Sequence, residues 1–497
     1  MNIALLLEMA ADASADRVGL VCDDKRWTYG DLLAAARGAF EMIEQSGAQY
    51  VALLDESSEA SAIALFGAAL AGVPYCPLNY RLPDTDLSAL LARISPALVV
   101  GDEERVTRIA GDQGHIVMAR EDFVAKAQEL VPGDTDRVYD PGDGVAVQLF
   151  TSGTTAAPKA AILRHANLMG YILGSVEFAS ANEDDATLIV VPPYHIAGIS
   201  AIMSSIYANR RMVMLPAFTP EDWLQLVEAE KVTNAFVVPT MLQRVINMME
   251  QGVRADVSSL RAIAYGGGKM PLEVIQSALT LFPHTGFTNA YGLTETSSTI
   301  ALLGPDDHRA ALASDDPKVR ARLTSIGQAL PTVEIEIRDE DGRVLGPRSA
   351  GEIYVRGEQV SGEYKERSAL LPGGWFPTRD AGYMDEEGYI FLSGRADDVI
   401  VRGGENMSPG EIEDVLLTHP GIADAAAVGI PSVEWGEAVG VAITVRDGHA
   451  PSDDELKALV RDRLRSSRVP ERIERVEALP YNEMGKLLRR EVKKLFA

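Results

Sequence analysis

Cysteine is scarce in this chain of 497 residues, where Cys22 and Cys76 are the two present. Two thiols cannot cross-link a secreted protein of this size, and neither lies in the paired spacing of a zinc site. Long hydrophobic runs are also missing, since no apolar stretch reaches the roughly 20 residues that cross a bilayer. Residues 1–8 carry no basic segment of the kind that begins a signal peptide. These absences predict a soluble, cytoplasmic protein without a membrane span.

Positive charge is in deficit. Lysine and arginine together number 46 against 72 aspartate and glutamate residues, which gives a formal net charge of −26. A chain this acidic repels the phosphate backbone of nucleic acids, so nucleic acid is not an expected partner. A small anionic ligand stays open, because local lysines, arginines and helix N-termini can override the net charge.

Strands and helices alternate through the first half of the chain. Residues 32–43 and 58–72 have helical patterns, while residues 50–54 and 98–100 are short apolar runs. Further short apolar runs, each near a helical pattern, occupy residues 186–191, 211–215, 235–238 and 260–265. This alternation predicts a layered α/β architecture with parallel sheets.

The pattern changes near residue 332. Residues 333–337 and 351–355 alternate between apolar and polar side chains, which predicts a small antiparallel β region. A further unit begins near Gly394 and predicts a strand over 398–401 and a helix over 408–419 with Ser408 as N-cap. The predicted fold class is α/β: a large N-terminal domain of layered α/β subdomains plus a small β region, and a small α+β C-terminal domain.

The most informative segment is a polar loop after the apolar run 145–150. It reads Thr151-Ser152-Gly153-Thr154-Thr155-Ala156-Ala157-Pro158-Lys159. Hydroxyls, backbone N–H groups and one ammonium can together bind a polyphosphate. It is not a Walker A loop, because Pro158 precedes the lysine and Ala160 follows it. Alone, such a loop would more often be a polar surface turn.

Four other segments accompany this loop and make the surface-turn interpretation less attractive. They are Pro192-Pro193-Tyr194-His195, the run 289–296, the run 375–380, and the run 394–413, with Asn482-Glu483-Met484-Gly485-Lys486 near the end. In this order and spacing, over essentially the whole chain, they resemble the adenylate-forming superfamily of acyl-CoA synthetases, peptide-synthetase adenylation domains and luciferases. The chain is most similar in its motifs to acyl- and aryl-CoA ligases.

The resemblance implies an ATP site. Glu295 would bind Mg2+, Thr294 would contact the α-phosphate, and Tyr291 would stack on adenine unless it is simply a packed core residue. Asp380 and Arg395 would bind the ribose, and Asn289 and Gly268 would border the nucleotide. The β- and γ-phosphates of ATP are assigned to Thr151, Ser152, Gly153, Thr154, Thr155 and Lys159.

The resemblance also implies residues for the acid, the thiol and the domain movement. Lys486 would be catalytic and bridge the carboxylate and the α-phosphate, and His195 would line and gate an acyl pocket with Gly266 and Gly267. The N-terminal domain would cover residues 1–394 and a mobile C-terminal domain residues 395–497, with a hinge near Asp397. The tunnel for coenzyme A is assigned to Gly403, Gly404 and Trp435.

The sequence departs from the family pattern at several positions. Ala156 and Ala160 replace glycines of the phosphate loop, which predicts a stiffer loop. Arg379 replaces a glycine before Asp380, so its side chain must either point away from the nucleotide or contact it. Lys269 stands where proline is usual, and could serve as a cation directed at the substrate.

The function implied is an ATP-dependent carboxylic acid–CoA ligase that forms an acyl-AMP and then a thioester. Its substrates would be ATP with Mg2+, coenzyme A, and a fatty or aromatic acid that the sequence does not identify. One alternative is an acid–AMP ligase that loads the pantetheine of a carrier protein. An inactive nucleotide-binding relative is the non-enzymatic alternative, and luciferase-like oxygen chemistry has no support. The oligomeric state is open.

Overall fold

The computed structural model of the chain describes residues 1–130, 143–151, 158–395, 398, 400–402, 405–432, 435–482 and 487–496. Within these residues the strands, in chain order, are Val18–Cys22 (β1), Lys25–Thr28 (β2), Tyr50–Leu54 (β3), Tyr75–Pro77 (β4), Ala97–Gly101 (β5), Ile116–Ala119 (β6), Val145–Thr151 (β7), Lys159–Arg164 (β8), Ala186–Ile189 (β9), Arg211–Met214 (β10), Asn234–Val237 (β11), Ala262–Gly266 (β12), Gly286–Leu293 (β13), Ser298–Leu303 (β14), Gln328–Ala329 (β15), Val333–Arg338 (β16), Gly351–Gly357 (β17), Glu363–Tyr364 (β18), Arg367–Ser368 (β19), Phe376–Met384 (β20), Ile390–Arg395 (β21), Ile400–Arg402 (β22), Glu405–Met407 (β23), Ile422–Ser432 (β24), Gly436–Val445 (β25) and Arg472–Arg475 (β26).

Within the described residues, helices alternate with these strands through the first three hundred or so positions, as expected of a layered α/β architecture. They are Ala4–Ser14 (α1), Tyr29–Ser46 (α2), Glu59–Ala71 (α3), Asp84–Leu91 (α4), Glu103–Ala110 (α5), Arg120–Glu129 (α6), His165–Ser175 (α7), Ile196–Tyr207 (α8), Pro220–Ala229 (α9), Pro239–Glu250 (α10), Leu272–Leu281 (α11), Pro305–Ala313 (α12), Pro317–Ala321 (α13), Pro409–Leu417 (α14), Asp453–Arg463 (α15) and Arg489–Lys494 (α16).

Two large sheets form the N-terminal part. In the described residues the first has the order β15-β14-β13-β12-β11-β9-β10-β1-β2 and the second β19-β18-β8-β7-β4-β3-β5-β6. Strands β13, β12, β11, β9, β10 and β1 pair in parallel, as do β7, β4, β3, β5 and β6. Antiparallel strands close both edges of the first sheet and the β19 edge of the second, so each sheet is mixed and not purely parallel.

One helical layer lies between the two sheets. Its apolar cluster joins α1, α2, α3, α6, α7 and α8 to strands of both sheets. Helix α3 illustrates why this layer lies between two sheets. Eleven of its thirteen residues are buried, and a helix that is apolar all round has to be covered on every side. Helices α9, α10 and α11 cover the outer face of the first sheet and α4 and α5 that of the second. The layered α/β prediction is confirmed.

The predicted antiparallel region is a four-stranded sheet in the order β16-β17-β20-β21. The C-terminal part has its own sheet, β23-β22-β25-β24, with β26 parallel to β25, and its own apolar core. Ser408 precedes α14 as predicted, but its side chain makes no cap; the hydroxyl donates to the Ser393 carbonyl instead. Among the described helices, none is long and apolar enough to cross a membrane.

Candidate active site

The carboxyl edge of the first sheet collects several predicted site segments. Strand β9 leads to His195, β12 leads to the glycines at 266–268, and β13 leads to Glu295. These strands run parallel, in the order β13-β12-β11-β9. The carboxyl edge of such a sheet is where α/β proteins bind ligands. Gly266 is required there, because a Cβ at this position would lie 2.3 Å from the Ala290 carbonyl oxygen of β13.

The two ends of the predicted phosphate loop are paired strands. Thr151 ends β7 and lies opposite Lys159, which begins β8, and the Thr151 hydroxyl is 3.5 Å from the Lys159 carbonyl oxygen. Ser152, Gly153, Thr154, Thr155 and Ala156 lie outside the described residues. Ala160 does not belong to a loop: it is buried within β8, opposite Phe150. An alanine in an extended strand does not need a glycine's freedom, so the predicted stiffening at position 160 is wrong.

Glu295 lies in a tight, strained turn. Thr294–Thr296 form a 3-10 turn, and Ser297 and Ser298 follow with φ of 57° and 122°. Non-glycine residues with positive φ cost about 1–3 kcal/mol each and concentrate at functional sites. The turn is clamped from outside, since the Glu295 carbonyl accepts the backbone N–H groups of Ser361 and Gly362 at 2.9 and 3.1 Å. Thr294 is half-buried beside Glu295.

A tyrosine that the sequence analysis did not single out joins Lys159 to Glu295. The Tyr364 hydroxyl donates to Glu295 Oε1 at 2.6 Å, and Lys159 Nζ lies 5.6 Å from the centroid of the Tyr364 ring. Tyr364 is one residue of the two-residue strand β18, which pairs with β8. No motif of the sequence indicates this contact, because the residues are close only in space.

Tyr291 and Asp380 form a second pair. The Tyr291 hydroxyl donates to Asp380 Oδ2 at 2.6 Å, and the Tyr291 ring also packs on two apolar clusters of the β region. Asp380 lies opposite Arg395 in the β20–β21 pair. The proposed ribose and adenine residues are therefore adjacent, and Tyr291 combines a packing role with a polar one.

Arg379, next to Asp380, adopts φ of 64°. This is the left-handed conformation that glycine adopts without strain, which explains why glycine is usual there. The Arg379 side chain is 60% exposed, with its Nε 3.9 Å from Glu352. The side chain is directed at Glu352, and its relation to a bound nucleotide stays a prediction. The side-chain N–H of Asn289 donates a hydrogen bond to the Ser325 carbonyl at 2.9 Å.

His195 belongs to an aromatic cluster at the end of β9. Its ring centroid is 4.5 Å from that of Tyr194, and Tyr194 packs edge-on against Tyr80 at 5.6 Å. Burial, followed by the positive charge of Arg81, lowers the pKa of His195 from 6.5 to about 4. The imidazole is therefore neutral at physiological pH and suits an apolar pocket better than an anion site.

Lys269 contacts the C-terminal part of the chain. Its Nζ is 2.5 Å from Asp414 Oδ1 on α14, and Glu273 of α11 pairs with Arg446 at 3.0 Å. The interpretation of Lys269 as a substrate-directed cation therefore does not hold in this arrangement. Gly267, with φ of 79°, and Gly268 form the turn that precedes it.

The predicted C-terminal residues are described only in part. Trp435 is exposed, with the Arg402 guanidinium 5.5 Å from its ring centroid. Lys486, Asp397, Gly403 and Gly404 lie outside the described residues. The flanks of Lys486 are described: Tyr481 bridges to Leu487, and the Leu488 N–H donates to the Pro480 carbonyl at 2.8 Å.

Comparison with known families decides what kind of protein carries this site. A model described as AMP-binding enzyme matches residues 7–365, and one described as AMP-binding enzyme C-terminal domain matches residues 411–486. The chain belongs to the AMP-binding enzymes. The resemblance to the adenylate-forming superfamily, inferred from five sequence segments, is thereby confirmed.

Individual relatives of this AMP-binding enzyme extend over nearly the whole chain. A fatty acid–[acyl-carrier-protein] ligase, ScoC, of Streptomyces coeruleorubidus is 32% identical, over 96% of this chain and 93% of that protein. A 2-succinylbenzoate–CoA ligase of Geobacillus kaustophilus is 30% identical, over 98% and 97%. The structure of o-succinylbenzoate CoA synthetase (MenE) from Bacillus subtilis, in complex with the acyl-adenylate OSB-AMP, matches with a TM-score of 0.83 at 29% identity, covering 98% of this chain and 97% of that one.

Proposed function

We propose that this AMP-binding enzyme is an ATP-dependent carboxylic acid–CoA ligase. In the first step a carboxylate oxygen attacks the α-phosphorus of ATP and pyrophosphate leaves. In the second the sulfur of coenzyme A attacks the acyl carbon and AMP leaves. The observation that carries the proposal is the joined group Lys159, Tyr364 and Glu295 together with the Tyr291–Asp380 pair, where the end of β13 in the first sheet meets β8 and β18 of the second sheet and β20 of the antiparallel sheet. A cation, a carboxylate and a ribose acceptor gathered around the end of β13 suit a bound nucleoside triphosphate.

Within this site each nucleotide group has a residue of suitable chemistry. We assign the β- and γ-phosphates to residues 151–155 and Lys159, the α-phosphate to Thr294, and the ribose to Asp380 and Arg395. Tyr291, Asn289 and Gly268 border the base. These roles remain predictions, and the Tyr364–Glu295 and Tyr291–Asp380 contacts support them.

Glu295 fits Mg2+ as a ligand. The ion commonly takes one or two protein carboxylates and completes its shell with phosphates and water. The described residues contain no group of three or more candidate ligands, and the single half-buried carboxylate of Glu295 agrees with that pattern. When bound, Mg2+ would neutralise charge on the phosphates.

The C-terminal part of the chain has the remaining roles. We assign Lys486 to the carboxylate and α-phosphate oxygens, where an ammonium stabilises the charge that develops as they react. We retain 1–394 and 395–497 as the domain division, with the hinge at Asp397. We place Gly403, Gly404 and Trp435 along the thiol path.

A carrier-protein ligase is the second candidate function. It is favoured by the relative whose name states that activity at 32% identity, whereas the relative of similar identity named a CoA ligase favours the leading proposal. In both acceptors the thiol is the end of a pantetheine arm, so the same residues could serve either one.

The acid pocket is assigned to His195, Gly266 and Gly267. Because His195 is neutral and lies in an aromatic cluster, the pocket favours an acid with an apolar body.

Pyrophosphate release across an acid panel tests the proposal. The panel contains 2-succinylbenzoate, benzoates and fatty acids of increasing length, each with coenzyme A, with a pantetheinylated carrier protein, or with no thiol. We expect acid-dependent pyrophosphate, and an acyl-CoA detected by mass where coenzyme A is present. Thioester on the carrier protein alone would favour the second candidate, and no pyrophosphate with any acid would contradict both. The cytoplasmic location stays a prediction from composition.

The replacement Lys486→Ala separates the two steps. We expect acyl-AMP formation to fall by about two or more orders of magnitude, as when a group that stabilises transition-state charge is removed. Thioester formation from supplied acyl-AMP should stay within a few fold of the original, since the lysine is assigned only to the first step. Lys494→Ala, which removes a lysine paired with Glu491 on α16, is the control and should change neither rate. Equal losses in both steps would refute the role of Lys486.

A further inference from the structure

We propose that Tyr364 is a positioning residue that holds Glu295 and Lys159 apart and ready for the metal–nucleotide complex. The inference rests on the proposed function, because it assigns Glu295 to Mg2+ and Lys159 to phosphate. Its basis is geometric: the phenol donates to Glu295 Oε1 at 2.6 Å, while Lys159 Nζ faces the same ring at 5.6 Å from its centroid.

The backbone fixes all three residues with respect to one another. Tyr364 pairs with Ala161 of β8, two residues after Lys159. The N–H groups of Ser361 and Gly362, just before β18, bind the Glu295 carbonyl. The same short segment therefore contacts the phosphate strand on one side and the Glu295 turn on the other.

A tyrosine is suited to keep an acid and a base separate. Lysine and glutamate side chains that can reach each other form an ion pair, which an incoming nucleotide would have to break. The phenol gives the carboxylate one hydrogen bond, which leaves its second oxygen for a metal. The ring face attracts the ammonium without using its N–H donors, which stay available for phosphate oxygens.

The position of Tyr364 is also open to a ligand. It is half-buried and forms part of the wall of a cavity of about 340 Å³, together with Ser361, Glu363, Lys365, Glu366, Arg367, Ser368 and Leu370. A tyrosine that only filled a core would not border such a space. That opening is lined by residues of the Tyr364 segment itself, so the assignment of Tyr364 to the nucleotide site rests on its contacts with Glu295 and Lys159.

Equilibrium binding of ATP, measured by calorimetry without acid or thiol, tests the role independently of turnover. Tyr364→Phe keeps the ring and removes the hydrogen bond to a charged group. We expect ATP affinity to fall about tenfold in Mg2+, the size expected for loss of such a bond, and to change less than twofold in EDTA. Tyr364→Leu removes the ring as well, and should weaken binding in EDTA too, because Lys159 loses its contact.

Two further variants keep the test specific. Tyr389→Phe is a matched control: the Tyr389 hydroxyl donates to Asp307 at 2.6 Å and Arg322 lies over its ring, outside the assigned nucleotide site. It should leave ATP affinity unchanged, and similar melting temperatures of both Phe variants will show that folding is not the cause. In a Glu295→Ala background, Tyr364→Phe should have no further effect in Mg2+.

The results separate the inference from the proposed function. A parent enzyme that binds no ATP would overturn both. A parent enzyme that binds ATP while Tyr364→Phe matches it in Mg2+ would overturn the role of Tyr364 and leave the proposed function standing. Equal losses in Mg2+ and EDTA, or a further loss in the Glu295→Ala background, would also overturn it.

Discussion

The surroundings of His195 keep its imidazole uncharged, and this lowers the stability of the folded protein in acid. Because its pKa is about 4 in the folded chain against 6.5 ordinarily, the unfolded chain binds more protons between these two pH values. Stability contributed by the neutral imidazole is therefore complete above pH 6.5 and is lost as pH falls toward 4. The depressed pKa belongs to the folded state, so it can be tested by unfolding.

We expect the free energy of unfolding to decline more steeply in acid for the parent protein than for His195→Asn. Between pH 7 and pH 5 the difference should be about 1–2 kcal/mol, from linkage of the pKa shift to stability. Urea unfolding at both pH values measures it. Parallel declines in the two proteins would contradict the neutral state of the half-buried His195.

Arg379 shows at the same scale what one sequence leaves undecided. Its replacement of a family glycine was visible, but its orientation was not. The structure gives Arg379 φ of 64° and directs its side chain at Glu352. The backbone there keeps the shape that glycine would give, and Asp380 beside it still meets Tyr291.

At the scale of elements, a buried ion pair joins three segments of the C-terminal part. Glu413 of α14 accepts Arg489 Nη1 at 2.5 Å and Nη2 at 3.1 Å, and also the Ala427 N–H of β24 at 2.8 Å. Arg489 begins α16, and its Nε is 3.5 Å from Asp398. Hydrogen bonding to Glu413 raises the pKa of Arg489 against the opposing effect of burial. The pair thus fixes the start of α16, three residues after Lys486.

Removal of one partner should be severe. Glu413→Ala leaves the Arg489 charge and the Ala427 N–H buried without their acceptor, and we expect a loss of about 3 kcal/mol or more in unfolding free energy. Glu411→Ala is the control on the same helix, because that carboxylate is half exposed and only 3.7 Å from Arg468; its loss should stay under about 1 kcal/mol. Urea unfolding measures both losses, and similar values would contradict the larger contribution assigned to the Glu413–Arg489 pair.

Elements with a clear period were predictable and short ones were not. The strand 50–54 was predicted at its observed bounds, and the alternation after residue 332 gave the antiparallel sheet, because side-chain burial imposes the pattern. Strand β18 has only two residues, too few for any period. Its Tyr364 therefore had no signal, although it joins two predicted site residues. Ser408 was placed correctly before α14, but tertiary contact with Ser393 replaced its local capping bond.

For the whole molecule, two ion pairs hold the C-terminal part against the large domain. Lys269–Asp414 and Glu273–Arg446 both cross from the Gly-rich turn and α11 to the C-terminal part. All four side chains are about half exposed or more, so each pair contributes at most about 1 kcal/mol and is weakened by salt. For the proposed rotation of the C-terminal domain, the two pairs together would bias the two orientations by up to about 30-fold.

A charge swap tests this bias. Lys269→Glu should disfavour the observed orientation, so that one partial reaction speeds up and the other slows, each by about two- to fivefold from the pair energy. Lys269→Glu with Asp414→Lys restores an attractive pair and should return both rates toward the parent values. Stopped-flow assays of acyl-AMP formation and of thioester formation measure the two rates. Unchanged rates in the single variant, or no recovery in the swap, would contradict the bias.

The central claim is that the acid is activated as an acyl-AMP. It is tested most directly with an acid whose carboxylate oxygens are labelled with 18O, incubated with ATP, Mg2+ and coenzyme A. Attack on the α-phosphorus leaves one labelled oxygen on the phosphate when the thiol displaces AMP, so we predict AMP carrying a single 18O by mass spectrometry. Label in inorganic phosphate, with ADP in place of AMP as the nucleotide product, would contradict the account.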